Sequence, residues 1–86
     1  MQIDSSALFD AGFAKLFPEP QGQALFHAIR LQVRFRHERC NVFAQDGERL
    51  FKVMRLYVNR RVQNVRILFE QTPERIVLWH ISSSTV

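Results

Sequence analysis

The chain has 86 residues, 47 % of them hydrophobic and 23 % charged, a formal net charge of +4 and one cysteine; a chain this short builds a single core, so one domain over residues 1–86 is expected and multi-domain mechanisms are excluded. The apolar share argues against disorder, and no apolar run reaches the roughly 18 residues of a membrane span. The start, Met1-Gln2-Ile3-Asp4-Ser5-Ser6, lacks the marks of a signal peptide, and the lone Cys40 suits a reducing compartment, so a cytoplasmic protein with no membrane partner is expected.

In chain order, Asp4, Ser5 and Ser6 are good N-cap residues, and Leu8, Phe9, Phe13, Leu16 and Phe17 recur on one helical face. This predicts a helix over Ser6–Phe17, broken by Pro18 and Pro20. A second helix is expected from Gln21 to about Val33, because Gln23-Ala24-Leu25-Phe26-His27-Ala28 is rich in helix formers. The alternation of Ile29, Leu31, Val33 and Phe35 with Gln32 and arginines makes a strand the alternative to the favoured helix, so residues 28–36 stay open between the two. Cys40 to Ala44 is a short apolar piece, and Gln45-Asp46-Gly47-Glu48 reads as a hairpin turn built on Asp-Gly. Leu50–Val58 satisfies both periods, as a strand or as a helix carrying Leu50, Val53, Met54, Tyr57 and Val58 on one side. Val65–Glu70, the turn Gln71-Thr72-Pro73-Glu74 and Arg75–Ser82 form a terminal hairpin. Residues Ser82–Val86 read as a polar tail. The expected fold class is α+β: two N-terminal helices packed on a small antiparallel sheet that ends in a β-hairpin.

The charge is concentrated in the middle. From Ala28 to Arg66 there are ten basic residues (Arg30, Arg34, Arg36, Arg39, Arg49, Lys52, Arg55, Arg60, Arg61 and Arg66) against Glu38, Asp46 and Glu48. Both flanks are mildly acidic. Ten of the twelve basic residues are arginines, whose planar fork pairs with phosphate or carboxylate through two hydrogen bonds, where lysine offers a point charge. A phosphate backbone or an acidic protein face is the natural target, and a solvated basic face is the plain alternative.

The runs Phe51-Lys52-Val53-Met54-Arg55-Leu56, Val65-Arg66-Ile67-Leu68-Phe69-Glu70 and Ile76-Val77-Leu78-Trp79-His80-Ile81, following two helices, resemble the RelE/ParE toxin superfamily over about the last 40 residues. Its members are small basic α+β proteins of bacteria and phages. Those like RelE cut messenger RNA in the ribosome, those like ParE poison gyrase, and a partner antitoxin neutralises either kind. The resemblance implies RNA, the ribosome or an acidic host protein as target, with an antitoxin as a further partner. It puts Arg66 where the family often meets phosphate, with Lys52 and Arg55 on the preceding strand and Arg60 and Arg61 nearby. Two departures stand out. The first strand is reduced to at most Gln2-Ile3-Asp4, and nothing after His80 supplies the Lys, Arg, Tyr or His that ribonuclease members place there.

Cutting RNA without a metal requires groups that move protons and cations that hold the charge developing at phosphorus. His80, His37 and Tyr57 are candidates for the first task and Arg66, Arg55, Arg60 and Arg61 for the second. The catalytic pair expected is His80 with Arg66, in a metal-independent endoribonuclease if the chain is an enzyme at all. A chain lacking the terminal catalytic residues fits equally an inhibitor, phage-encoded or bacterial, that docks on an acidic surface of a host protein and blocks a nucleic-acid site. No cofactor is implied: His37 and Cys40 have ligand spacing, but a structural zinc site needs about four ligands and few remain. The glycines are scattered, so there is no phosphate-cradling loop. Phe35, Phe43 and Tyr57, interleaved with arginines, offer surfaces on which bases could stack.

Overall fold

The computed structural model describes residues 1–58 and 63–85. The elements run β1 (Gln2–Ser5), α1 (Ala7–Leu16), α2 (Gln21–Arg36), a 3-10 turn (His37–Arg39), β2 (Val42–Asp46), β3 (Arg49–Val58), β4 (Gln63–Gln71) and β5 (Arg75–Thr85). The strands form one sheet in the order β1-β5-β4-β3-β2. β2 to β5 follow one another as an antiparallel meander, whereas β1 lies parallel to β5, with Ile3 opposite Ile76. The α+β class and the two helices agree with the sequence; the sheet is mixed rather than antiparallel.

Helix α1 is capped as its sequence demands. The Ser6 hydroxyl accepts from the amide of Phe9 at 3.0 Å, satisfying one of the donors a helix start leaves free, and donates to the Trp79 carbonyl at 2.9 Å. Phe9 and Phe13 are buried from this helix, and they meet Phe26 of α2 edge-on at ring separations of 5.8 and 5.1 Å. Gly22 at the start of α2 leaves room that a Cβ would take from the Phe17 carbonyl.

Residues 28–36 are helical because only Ile29 and Val33, four apart, reach the core. Leu31 and Phe35, the other half of the apparent alternation, are exposed. Arg30 and Arg34 on this helix donate to the carbonyls of Ile3 and Met1 at 2.8 and 3.0 Å, which ties α2 to the start of the sheet. Apart from Phe17, which follows α1, the rest of the core comes from one face of the sheet: Ile3, Met54, Leu56, Val65, Ile67, Phe69, Ile76, Leu78 and Ile81.

The Asp-Gly turn joins β2 to β3 as the sequence predicts, with Gly47 at φ 60°, the left-handed region open to glycine. Residues 50–58 are a strand; their helical period arises because the inward position of Lys52 is occupied by a charged residue, which masks the alternation. The polar tail expected over residues 82–86 is instead strand up to Thr85, since Ser82–Thr85 pair with Gln63–Arg66. Backbone pairing, which side-chain hydropathy does not report, extends β5 there.

Candidate nucleic-acid interface

The helices cover one face of the sheet and leave the other open. Alternation along β3 and β4 turns Lys52, Met54, Leu56, Val65, Ile67 and Phe69 inward, all of them buried, and Val53, Arg55, Tyr57, Asn64, Arg66 and Leu68 outward. The register lines these outward residues up in rows. Arg55 faces Arg66, which faces Ser82; in the next row Val53 faces Leu68, which faces His80; in the row on the other side Tyr57 faces Asn64.

Two arginines therefore stand directly opposite each other, with Cβ atoms about 4.5–5.5 Å apart in such a pair, an arrangement that is repulsive in the absence of an anion. Among the described residues no ion pair or hydrogen bond engages either guanidinium. With Asn64 and Val65 they line a shallow pocket of about 90 Å³. The Asn64 side-chain oxygen is buried there and accepts no hydrogen bond among the described residues. His80 lies diagonally across from Arg66, so the expected catalytic pair shares one face, and Tyr57, 72 % exposed, stands one row from Arg55 on the same strand.

The other cations of the basic middle are spent differently. Lys52 is a correction to the expected binding set: it is only 5 % exposed, and its ammonium donates to the His37 carbonyl and to Gln71 Oε1, both at 2.7 Å. It points inward because it occupies the same side of β3 as Met54 and Leu56, and it serves to fasten the 3-10 turn to the sheet. Arg49 is held by Glu70, at 2.7 and 3.0 Å to one carboxylate oxygen, which pulls its guanidinium pKa up further, and it lies over the Phe51 ring. Arg75 lies 3.8 Å from Asp4. Arg60 and Arg61 lie outside the described residues. Of the described cations between residues 28 and 66, Arg36, Arg39, Arg55 and Arg66 remain exposed without an ion pair or a hydrogen bond from the side chain, and only Arg55 and Arg66 are brought together on the open face.

Cys40 is half-buried, its Sγ 3.4 Å from the Arg36 carbonyl; burial pushes the thiol pKa up against the opposing pull of Lys52 and Arg36. His37 is buried, and its Nδ1 has no hydrogen-bond partner among the described residues. No three His, Cys, Asp or Glu side chains gather as a metal site among the described residues, and no helix is long and apolar enough to cross a membrane.

Sequence reasoning missed a wide, open concavity on the same face. A cleft of about 710 Å³ is bounded by Asp4, Arg49, Glu70, Arg75 and Trp79. Trp79 reaches it through a bulge in β5: Leu68 pairs with His80 and Phe69 with Leu78, so Trp79 has no opposite residue on β4. A bulge is a property of the pairing, and no spacing in the sequence announces it. Comparison of the chain with protein-family models, with curated proteins and with solved structures finds no match.

Proposed function

We propose that the protein is a RelE/ParE-like toxin protein that binds RNA, free or on the ribosome, through the open face of its sheet, with Arg55 and Arg66 as the phosphate grip. The observation that carries this reading is the cross-strand pair of arginines, neither of them engaged by an ion pair or a hydrogen bond among the described residues. Arg55 and Arg66 occupy facing positions on neighbouring strands, and a phosphate between their forks would turn mutual repulsion into charge-assisted hydrogen bonding. The order of elements, two helices followed by an antiparallel meander, supports the family reading, while the four-residue β1 remains a departure from it. If cleavage occurs, His80 moves the proton and Arg66 holds the charge at phosphorus, both from neighbouring rows of one face.

The test is the salt dependence of binding to single-stranded RNA, read with an end-labelled strand. Replacing both Arg55 and Arg66 by Ala should flatten the slope of log K against log salt by about 1.4, from two lost contacts at roughly 0.7 each on a single strand. An unchanged slope would reject the arginine pair as the grip. A ribosome-dependent cleavage assay with His80→Gln beside wild type then decides whether the bound RNA is cut.

A second reading, a non-catalytic inhibitor docked on an acidic host protein, draws on a different surface. α2 exposes Phe35 (74 %) and Leu31, and an apolar hollow of about 400 Å³ lined by Leu25, Ala28, Ile29, Leu56 and Arg36 lies between α2 and β3. Apolar anchors beside arginines suit a protein interface. Specific capture of one host protein after nuclease treatment, lost on Phe35→Ser/Arg36→Glu, would favour it.

A further inference from the structure

From the Trp79 cleft we infer that the protein holds a single unpaired guanine base there, stacked on the indole and read through Glu70; this rests on the RNA-binding reading above and adds a base-recognition site to its phosphate grip.

The cleft differs in kind from the arginine pair. Its cations stand beside carboxylates, Arg49 hydrogen-bonded to Glu70 and Arg75 3.8 Å from Asp4 with its fork more than half exposed, so it offers balanced donors and acceptors rather than net charge. A phosphate gains little there, whereas a neutral polar ring gains both hydrogen bonds and contact area. The ring it would meet is the indole. Trp79 is the only tryptophan of the chain, and the bulge in β5 keeps it 37 % exposed on the cleft. Its carbonyl is fixed by the Ser6 hydroxyl at 2.9 Å, so the backbone that carries the ring is anchored to the start of α1.

Glu70 supplies the direction. The residue is 6 % exposed, and both hydrogen bonds from Arg49 fall on Oε1. Glu70 lines the cleft, and its Oε2 accepts no hydrogen bond among the described residues. A carboxylate oxygen in this position accepts from an N–H edge and rejects one that presents lone pairs. Guanine carries adjacent ring and amino N–H groups on one edge and the O6/N7 acceptor pair on the next, the pair that an arginine fork such as Arg75 matches. Adenine has no ring N–H on its pairing edge. Glu70 and Arg66 are four residues apart on β4, about 14 Å, so a strand laid along the face can place a base in the cleft and a neighbouring phosphate on the arginines.

Because Trp79 is alone, its fluorescence reports the cleft without a label. The experiment titrates the intact chain with a short single-stranded RNA containing one guanine and with the same strand carrying uridine instead, reading Trp79 quenching and, in parallel, the anisotropy of end-labelled RNA. Quenching that follows the anisotropy curve, a guanine preference of about fivefold or more, and a roughly tenfold loss of affinity in Trp79→Leu are expected. Trp79→Phe, which keeps a ring, should restore most of that loss. Anisotropy that rises without quenching, or quenching equal for both strands, overturns the cleft assignment and leaves the arginine grip standing. No anisotropy change with either strand defeats the RNA-binding reading itself, and the guanine site falls with it.

Discussion

Replacing Arg66 by Glu should stabilise the fold while it abolishes tight RNA binding. Arg66 and Arg55 face each other across β4 and β3, and Ser82 on the other side offers no charge. Two unit charges about 6 Å apart in water-like surroundings repel by roughly 0.7 kcal/mol, within the range of 0.2–1 kcal/mol for cross-strand charge pairs. Reversing one sign removes that repulsion and adds an attraction of similar size, which solvent and side-chain freedom reduce to a net gain of about 0.5–1.5 kcal/mol. For a domain of this size the gain is a rise of roughly 2–10 °C in Tm, read by thermal unfolding at low salt. Arg66→Gln, which removes only the repulsion, should fall between wild type and Arg66→Glu. At about 1 M salt, where the screening length is near 3 Å, the three melting curves should converge. A lower Tm for Arg66→Glu at low salt, or a gain that salt leaves untouched, would refute the claim that the two guanidinium groups face each other unpartnered. A stabilised variant that binds RNA as tightly as wild type would refute their role as the grip.

Lys52→Ala should cost about 2–4 kcal/mol, or roughly 10–30 °C in Tm, since two charge-assisted hydrogen bonds are lost and the His37 carbonyl and Gln71 are left without their donor. RNA affinity per folded molecule should not change, in contrast to Arg55→Ala, and a drop matching that of Arg55→Ala would put Lys52 back among the phosphate contacts. Gly47→Ala meets open space but must adopt φ 60°, so it should lose about 1 kcal/mol in urea unfolding, with Gly47→Asn closer to wild type. The Cys40 thiol, with its pKa raised by burial, keeps its proton in the folded state at pH values where the unfolded chain has lost it. Folding therefore loses stability as pH climbs through and above the ordinary thiol range, and Cys40→Ala should lessen that alkaline decline; an identical pH profile for the variant would contradict the assignment.

The readable parts of the sequence were those where one local signal decided the outcome. Ser6 before a 3–4 apolar spacing gave α1, Asp46-Gly47 gave the β2–β3 turn, and Thr72-Pro73 separated the last two strands. The ambiguous stretch was settled by burial, which the sequence does not contain: Ile29 and Val33 face the core while Leu31 and Phe35 do not. The site was legible only as a list of arginines. Whether a basic residue is fastened inside, as Lys52 is, tied to a backbone carbonyl, as Arg30 is, or set opposite a second arginine depends on strand register. Trp79 and Glu70 line one concavity beside a bulge, a long-range feature with no local mark.

The pairing of β1 with β5 also sets the order in which the molecule can be assembled. Ser6 reaches Trp79 across 73 positions of chain, and closing a loop of that length costs about 4 kcal/mol of chain entropy before any contact offsets it. The β2–β3–β4 meander relies on nearer neighbours and can form during synthesis, while Ile3 and the sheet-facing side of α1 have no partner on β5 until that strand has been made. The cleft that joins Asp4 to Trp79 is thus completed last, so a chain still being translated would carry Arg55 and Arg66 before it carried Asp4 and Trp79 together. On the proposed function, binding by a nascent chain would be indifferent to sequence, and base preference would be acquired only with β5.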